Sequence, residues 1–155
     1  MSRTKERKDD ELSPITKPLE RISADTMVHQ RSRDGQIDRD ASMTIRDEYS
    51  GVGVGCPRRE RTQEGNRLDL KHFVGRVGGT SPNILGKSDA AKEIVNAVKE
   101  LGWIPEPSLE NRFPHNAAHE RWIGTLKSTI RSAVLQSGIP ARIVDWVVPY
   151  AALAL

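Results

Sequence analysis

Three short stretches between Arg21 and Cys56 place apolar side chains at every second position, and in most later segments the spacing lengthens to three and four. A period of two puts alternate residues on one face of a strand, whereas a period near 3.6 marks one stripe of a helix. The chain is thereby restricted to folds that open with strands alone. In RISADTMV, Ile22, Ala24 and Val28 share a face; Met43 and Ile45 do so in ASMTIRD; Val52, Val54 and Cys56 alternate with glycine in GVGVGCP. Asp34-Gly35 supplies a turn in the first connection and Tyr49-Ser50-Gly51 one in the second, which predicts an antiparallel meander. GVGVGCP is not a phosphate loop, because it lacks the Lys-Ser/Thr ending and no helix follows it. It reads as a strand softened by glycine.

Pro57 to Asn66 is polar and reads as a surface loop. LDLKHFVG predicts a short helix ending at Gly75, and NILGKSD a brief buried strand. DAAKEIVNAVKELG carries the stripe Ala91, Ile94, Ala97, Val98 and Leu101, with Gly102 suited to the C-terminal cap. WIPEPSL suits a short extended piece. A helix is expected from Asn116 to Gln136, with Ile123, Leu126, Ile130, Ala133 and Val134 facing the core. Pro140 starts a last helical segment, PARIVDWVVPYAALAL, with a break expected near Pro149. The order β-β-β-α-β-α-(β)-α-α suggests an α/β mixed sheet flanked by helices. Residues 1–18 mix both charge signs without a period and are expected to form a disordered charged arm; residues 19–155 form the ordered unit.

The length of 155 residues suits one domain, and 36% hydrophobic residues suffice for a modest core. A net charge of +3 is compatible with a nucleic-acid partner without demanding one. The single cysteine, Cys56, excludes an internal disulfide and any multi-cysteine zinc site. MSRTKERKDDELSP has no apolar centre and is not a secretory signal. The most apolar run, Ile143 to Leu155, is short and interrupted by Asp145 and Pro149, so no membrane span is expected and the protein reads as soluble.

Three acids stand at element ends. Asp25 lies inside the first strand pattern, where acids are rare. Asp89 follows NILGKS and opens a helix, where it or Ser88 could equally serve as the N-cap. Glu120 extends the apolar stripe of the long helix backwards by one step. A lone carboxylate aimed at a core is expensive, although one in a first helical turn is favoured by the helix dipole. Taken together, carboxylates from two strand ends and a neighbouring helix can converge. They would then repel one another unless a cation is present, and Mg²⁺ prefers such hard oxygen ligands. Two such ions, about 4 Å apart, can assist in-line displacement at phosphorus. His115 and His119 are spaced i, i+4 as in helical zinc pairs. However, Pro114 and a cap at Asn116 put His115 outside the helix, and no third zinc ligand stands out.

These residues resemble a known pattern. HNAAHER is similar to the Asn-Gly-x-x-Glu-Arg signature of retroviral and LTR-retrotransposon (copia-like) integrases, with Asn116, Glu120 and Arg121 at its polar positions. KSDAAKEI resembles their second-aspartate segment, with Asp89 as ligand and Glu93 four residues on. ISADTMV resembles the first-aspartate strand, with Asp25 as ligand; IRDEYSG resembles the following hairpin, and QSGIP with the helix bearing Trp146 and Tyr150 is also similar. Ala117 replaces the usual glycine, and thirty residues separate Asp89 from Glu120, fewer than in the retroviral pattern.

The resemblance implies an RNase H-like five-stranded sheet. It also implies a catalytic core taken from a longer Pol polyprotein, truncated at the C-terminus and lacking the zinc-binding and C-terminal DNA-binding domains. Asp25, Asp89 and Glu120 would be both catalytic and metal ligands for two Mg²⁺ (or Mn²⁺) ions, Asp25 bridging them. The activity would be trimming of element DNA ends and their strand transfer into target DNA, by a homo-oligomer in the nucleus. Arg112, Asn116, Arg121, Lys127 and Arg131 are the expected nucleic-acid contacts. Two other readings stand beside this one: an inactive or domesticated fragment that only binds nucleic acid or a partner, and an RNase H-like nuclease.

Overall fold

The computed structural model describes residues 14–29, 39–78, 83–88, 91–107 and 117–155. Three strands come first: β1 (Arg21–Val28), β2 (Ala41–Asp47) and β3 (Gly53–Arg58). They are followed by α1 (Gln63–Gly78), β4 (Leu85–Ser88), α2 (Lys92–Glu100), β5 (Ile104–Pro107), α3 (Ala117–Ser137), one 3₁₀ turn (Ala141–Ile143) and α4 (Val144–Leu153). The strand order is β3-β2-β1-β4-β5. β1 pairs antiparallel with β2, and β2 with β3, while β1–β4 and β4–β5 are parallel. This is the mixed sheet expected from the period change. Proline sits in both edge strands, Pro57 in β3 and Pro105 and Pro107 in β5, where a missing ladder N–H is tolerated.

The two faces of the sheet are built differently. On one, Ile22 and Ala24 of β1 and Met43 and Ile45 of β2 pack with Leu70 and Val74 of α1, Ile94, Ala97 and Val98 of α2, Ile84 and Trp103. On the other, Met27 alone joins the buried cluster of α3 (Trp122, Ile123, Leu126, Ile130) and α4 (Val148, Ala151, Ala152). The strand positions alternating with the first face are Ser23 and Asp25 in β1, Ser42 and Thr44 in β2, and Gly53 and Gly55 in β3. The glycines of GVGVGCP are therefore a docking floor. A Cβ at Gly53 would lie 2.8 Å from Trp122 Cη2, and one at Gly55 2.5 Å from Val148 Cγ1, so only glycine lets α3 and α4 approach this closely.

Several boundaries differ from the sequence expectation. Val28 shares the parity of Ile22 and Ala24 but is exposed, and Met27, on the opposite face, is the buried residue. Val52 is exposed and precedes β3. Residues 63–66 belong to α1, not to a surface loop. Thr62 Oγ1 accepts the Gly65 N–H at 3.1 Å, so the helix starts at a side-chain cap its polar first turn conceals. Gly75, with φ 55°, breaks α1 where its end was expected, but the assigned helix runs on to Gly78. Pro149 lies inside α4 without ending it; only the Asp145 carbonyl loses its helical donor. Residues 1–13 of the expected arm lie outside the described residues. At its end, the Thr16 N–H donates to the Glu20 carboxylate at 2.8 Å.

The IRDEYSG turn owes its shape to a buried acid. Asp47 accepts from the Leu19 N–H at 3.0 Å, the Ser50 N–H at 3.0 Å and the Ser50 hydroxyl at 2.6 Å, and Gly51 takes the positive φ that closes the turn.

Candidate active site

Asp25 lies midway along β1, half-buried on the face covered by α3. Its Oδ1 accepts the Thr26 N–H at 2.6 Å. Glu120 lies in the first turn of α3 and is also half-buried. Asp25 and Glu120 border one cavity of about 420 Å³, together with Thr26, Met27, Val28, Ile123, Gly124 and Lys127. Two of the three acids singled out in the sequence, and the lysine in phase with Glu120, thus share one opening. Asp89 lies outside the described residues. Its predecessor Ser88 ends β4 paired with Ala24, the residue before Asp25. The N-cap position of α2 is Ala91, so Ser88 is not its N-cap.

The buried stripe of α3 differs in one respect from its expected phase. Its first fully buried residue is His119, at 1% exposure, followed by Trp122, Ile123, Leu126 and Ile130. Glu120 sits at the rim of this stripe, where a carboxylate keeps access to the cavity instead of bearing the cost of full burial. His119 is not a metal-type ligand on an open face. Its Nε2 lies 3.0 Å from Thr44 Oγ1, and the Thr44 hydroxyl is 2.9 Å from the Asp25 carbonyl oxygen. Burial, then the positive charges of Arg46 and Lys87, push the imidazole pKa down to about 4. His115 lies outside the described residues. Among the described residues no group of three His, Cys, Asp or Glu side chains could hold a metal ion.

The expected phosphate contacts separate. Lys127 is exposed and lines the cavity. Arg131 is exposed and borders an adjoining groove of about 360 Å³, which shares Met27, Val28 and Lys127 with the cavity. Arg121 is exposed and its Nε donates to the Ala117 carbonyl at 3.3 Å within α3; it is not among the cavity-lining residues. Arg112 and Asn116 lie outside the described residues. Cys56 is no nucleophile, since burial and then the charge of Asp69 raise its thiol to about 12.

The Thr44–His119 contact has no signature in the residue pattern. Thr44 lies on the polar side of an alternating strand, a pattern that ordinarily means solvent, yet it is fully buried. His119 was detectable in principle, because it stands four, seven and eleven residues before Ile123, Leu126 and Ile130.

No protein-family model and no curated protein matches the sequence. Solved structures do. The HTLV-2 integrase catalytic core domain, in a dimeric form in complex with magnesium, aligns with a TM-score of 0.60 at 12% identity, covering 89% of this chain and 86% of that one. The catalytic core domain of BIV integrase aligns with a TM-score of 0.60 at 17% identity, covering 88% and 83%. A chain of the simian T-cell lymphotropic virus intasome, in complex with the PP2A regulatory subunit B56 gamma, aligns with a TM-score of 0.62 at 17% identity. There the match covers 84% of this chain and 48% of that one. The architecture is RNase H-like. More particularly, it is the version of that fold found in retroviral integrase catalytic cores.

Proposed function

We propose that the protein is the catalytic core of a DNA integrase or transposase, a metal-dependent polynucleotidyl transferase working through Asp25, Asp89 and Glu120. The observation that carries this reading is the single cavity bordered by Asp25 of β1 and Glu120 of α3, in a fold otherwise seen in integrase cores. Its donors are carboxylate oxygens, with Lys127 beside them and no cysteine or histidine among the lining residues. That donor set suits Mg²⁺ or Mn²⁺ in preference to zinc. Asp25, Asp89 and Glu120 would hold two ions. When bound, these supply the positive charge that in-line displacement at phosphorus requires at the entering and leaving oxygens.

The chain's own residues supply the rest. Asp25 sits on the central strand and Glu120 on a packed helix, so the backbone positions of both ligands are fixed before substrate arrives. Lys127 binds a phosphate at the cavity rim and Arg131 continues the cationic track along α3, which makes the contact salt-sensitive and indifferent to base sequence. Arg112, Asn116 and Arg121 complete the nucleic-acid contacts in this reading. The same reading makes the source a retrotransposon-type polyprotein, the site of action the nucleus, and the working form an oligomer holding paired DNA ends.

Incubating the protein with labelled blunt duplex DNA and Mn²⁺, followed by gel analysis, tests it. Joined products longer than the substrate, absent with Asp25→Asn, are expected. Shortened products alone would replace transfer by nuclease activity, and DNA binding without any product would leave a non-catalytic binding module.

A further inference from the structure

Two hydrogen bonds join the elements that carry Asp25 and Glu120, and their proton count is determined. Thr44 is the cross-strand partner of Asp25 in the β1–β2 ladder and is fully buried. Its hydroxyl has a single proton. The Asp25 carbonyl can only accept, so that proton is committed to the 2.9 Å contact with Asp25 O. The 3.0 Å contact with His119 must then run the other way, with the imidazole Nε2–H donating to Thr44 Oγ1. His119 is therefore held as the Nε2–H tautomer, directed from the first turn of α3 through β2 to the backbone of Asp25.

Among the described residues, the other buried side chains of α3 are apolar: Trp122, Ile123, Leu126 and Ile130 pack with Met27 and the α4 side chains. Apolar burial is non-directional and fixes rotation and axial position of a helix only loosely. A hydrogen bond has preferred distance and angle. Glu120 is the next residue after His119, so a constraint on one imidazole sets where the neighbouring carboxylate emerges relative to Asp25.

We infer that His119, acting through Thr44, is a positioning residue that registers Glu120 against Asp25 for metal binding. This rests on the metal-site reading above. Groups that orient metal ligands without touching the ion typically change affinity by about 10–100-fold when removed.

The test uses the full chain in four single variants and one double, with near-ultraviolet circular dichroism to verify folding. Thr44→Val keeps shape and deletes the hydroxyl, and His119→Leu deletes the donor. Thr44→Ser restores the hydroxyl, and His119→Gln restores a donor near the Nε2 position. Without metal, amide hydrogen exchange in residues 121–124, whose N–H groups bond to the carbonyls of the first turn of α3, should accelerate at least about fivefold in the two deletion variants and return towards wild type in the two restoring ones. With Mn²⁺ titrated by calorimetry, the deletion variants should bind about tenfold more weakly, the restoring ones within about threefold of wild type. Thr44→Val/His119→Leu should lose no more than either change alone, since both cut one chain of bonds. Folded deletion variants with wild-type exchange, or with wild-type Mn²⁺ affinity where wild type binds the ion, would overturn the positioning role alone. Wild type that takes up no Mn²⁺ would overturn the metal-site reading and the positioning role with it.

Discussion

The two faces of the sheet solve the same packing problem with opposite chemistry. Towards α1 and α2, the strands present Ile22, Ala24, Met43 and Ile45, all at or below 2% exposure, and area burial alone suffices to hold the helices. Towards α3 and α4, the same strands present Ser, Thr, Asp and Gly with one methionine. There the helices bring most of the apolar surface themselves, glycines let them come close, and hydrogen bonds supply the register. The acids that border the cavity lie on this side of the sheet, Asp25 on β1 and Glu120 on α3. The first face stabilises the fold; the second orients side chains.

This division can be broken by experiment. The largest effect belongs to the carboxylates: Asp25→Asn or Glu120→Gln should lower strand-transfer rate by about four orders of magnitude, read in a single-turnover gel assay. Melting temperature should stay close to wild type, because each side chain is only half-buried. Ile45→Ala should do the reverse, costing about 2–5 kcal/mol in denaturant unfolding while sparing metal affinity in the folded fraction. A loss of metal binding in folded Ile45→Ala would mean that the faces are not separable.

Next in size comes pH. His119 is held near 4 by burial, against an ordinary value of 6.5. The unfolded chain therefore takes up the proton first. The His119 contribution should be complete above about pH 6.5 and decline as pH falls towards 4, by up to about 3 kcal/mol. Urea midpoints of wild type and His119→Gln between pH 7 and pH 4 would check it, and the variant should show the shallower decline. Gly55→Ala should destabilise by about 1–3 kcal/mol, because Val148 and α4 must shift to admit the Cβ; a neutral outcome would mean that the glycine floor does not set helix approach. The smallest effect is expected at Lys127→Ala, which should weaken DNA binding a few-fold for any sequence and reduce the salt slope by about one unit.

How much of this was legible beforehand follows from what a linear pattern can encode. The element order was readable because Met43/Ile45 and Ile94/Ala97/Val98 each express one period without ambiguity. The start of α1 was hidden because its first turn, Gln63–Asn66, carries no apolar stripe, and only the cap at Thr62 marks it. Of the site, Asp25 and Glu120 stood out because a strand interior and a helix stripe rarely hold acids, and Lys127 because it shares the phase of Glu120. Thr44 did not stand out, and His119 stood out only as half of an i, i+4 pair with His115, not as a buried partner of Thr44. A threonine on the polar side of a strand becomes structural only when a helix covers it, and the sequence does not say which helix covers which face. The same gap concealed the role of Gly53 and Gly55, which depends on Trp122 and Val148, residues distant in the chain.

The central claim, that Asp25 and Glu120 serve one metal-dependent centre, is tested most directly by calorimetric titration of Mn²⁺ into wild type, Asp25→Asn and Glu120→Gln. The account predicts saturable uptake by wild type and its loss in both variants, with circular dichroism unchanged. Uptake that survives either substitution, or a folded wild type that takes up none, would contradict it.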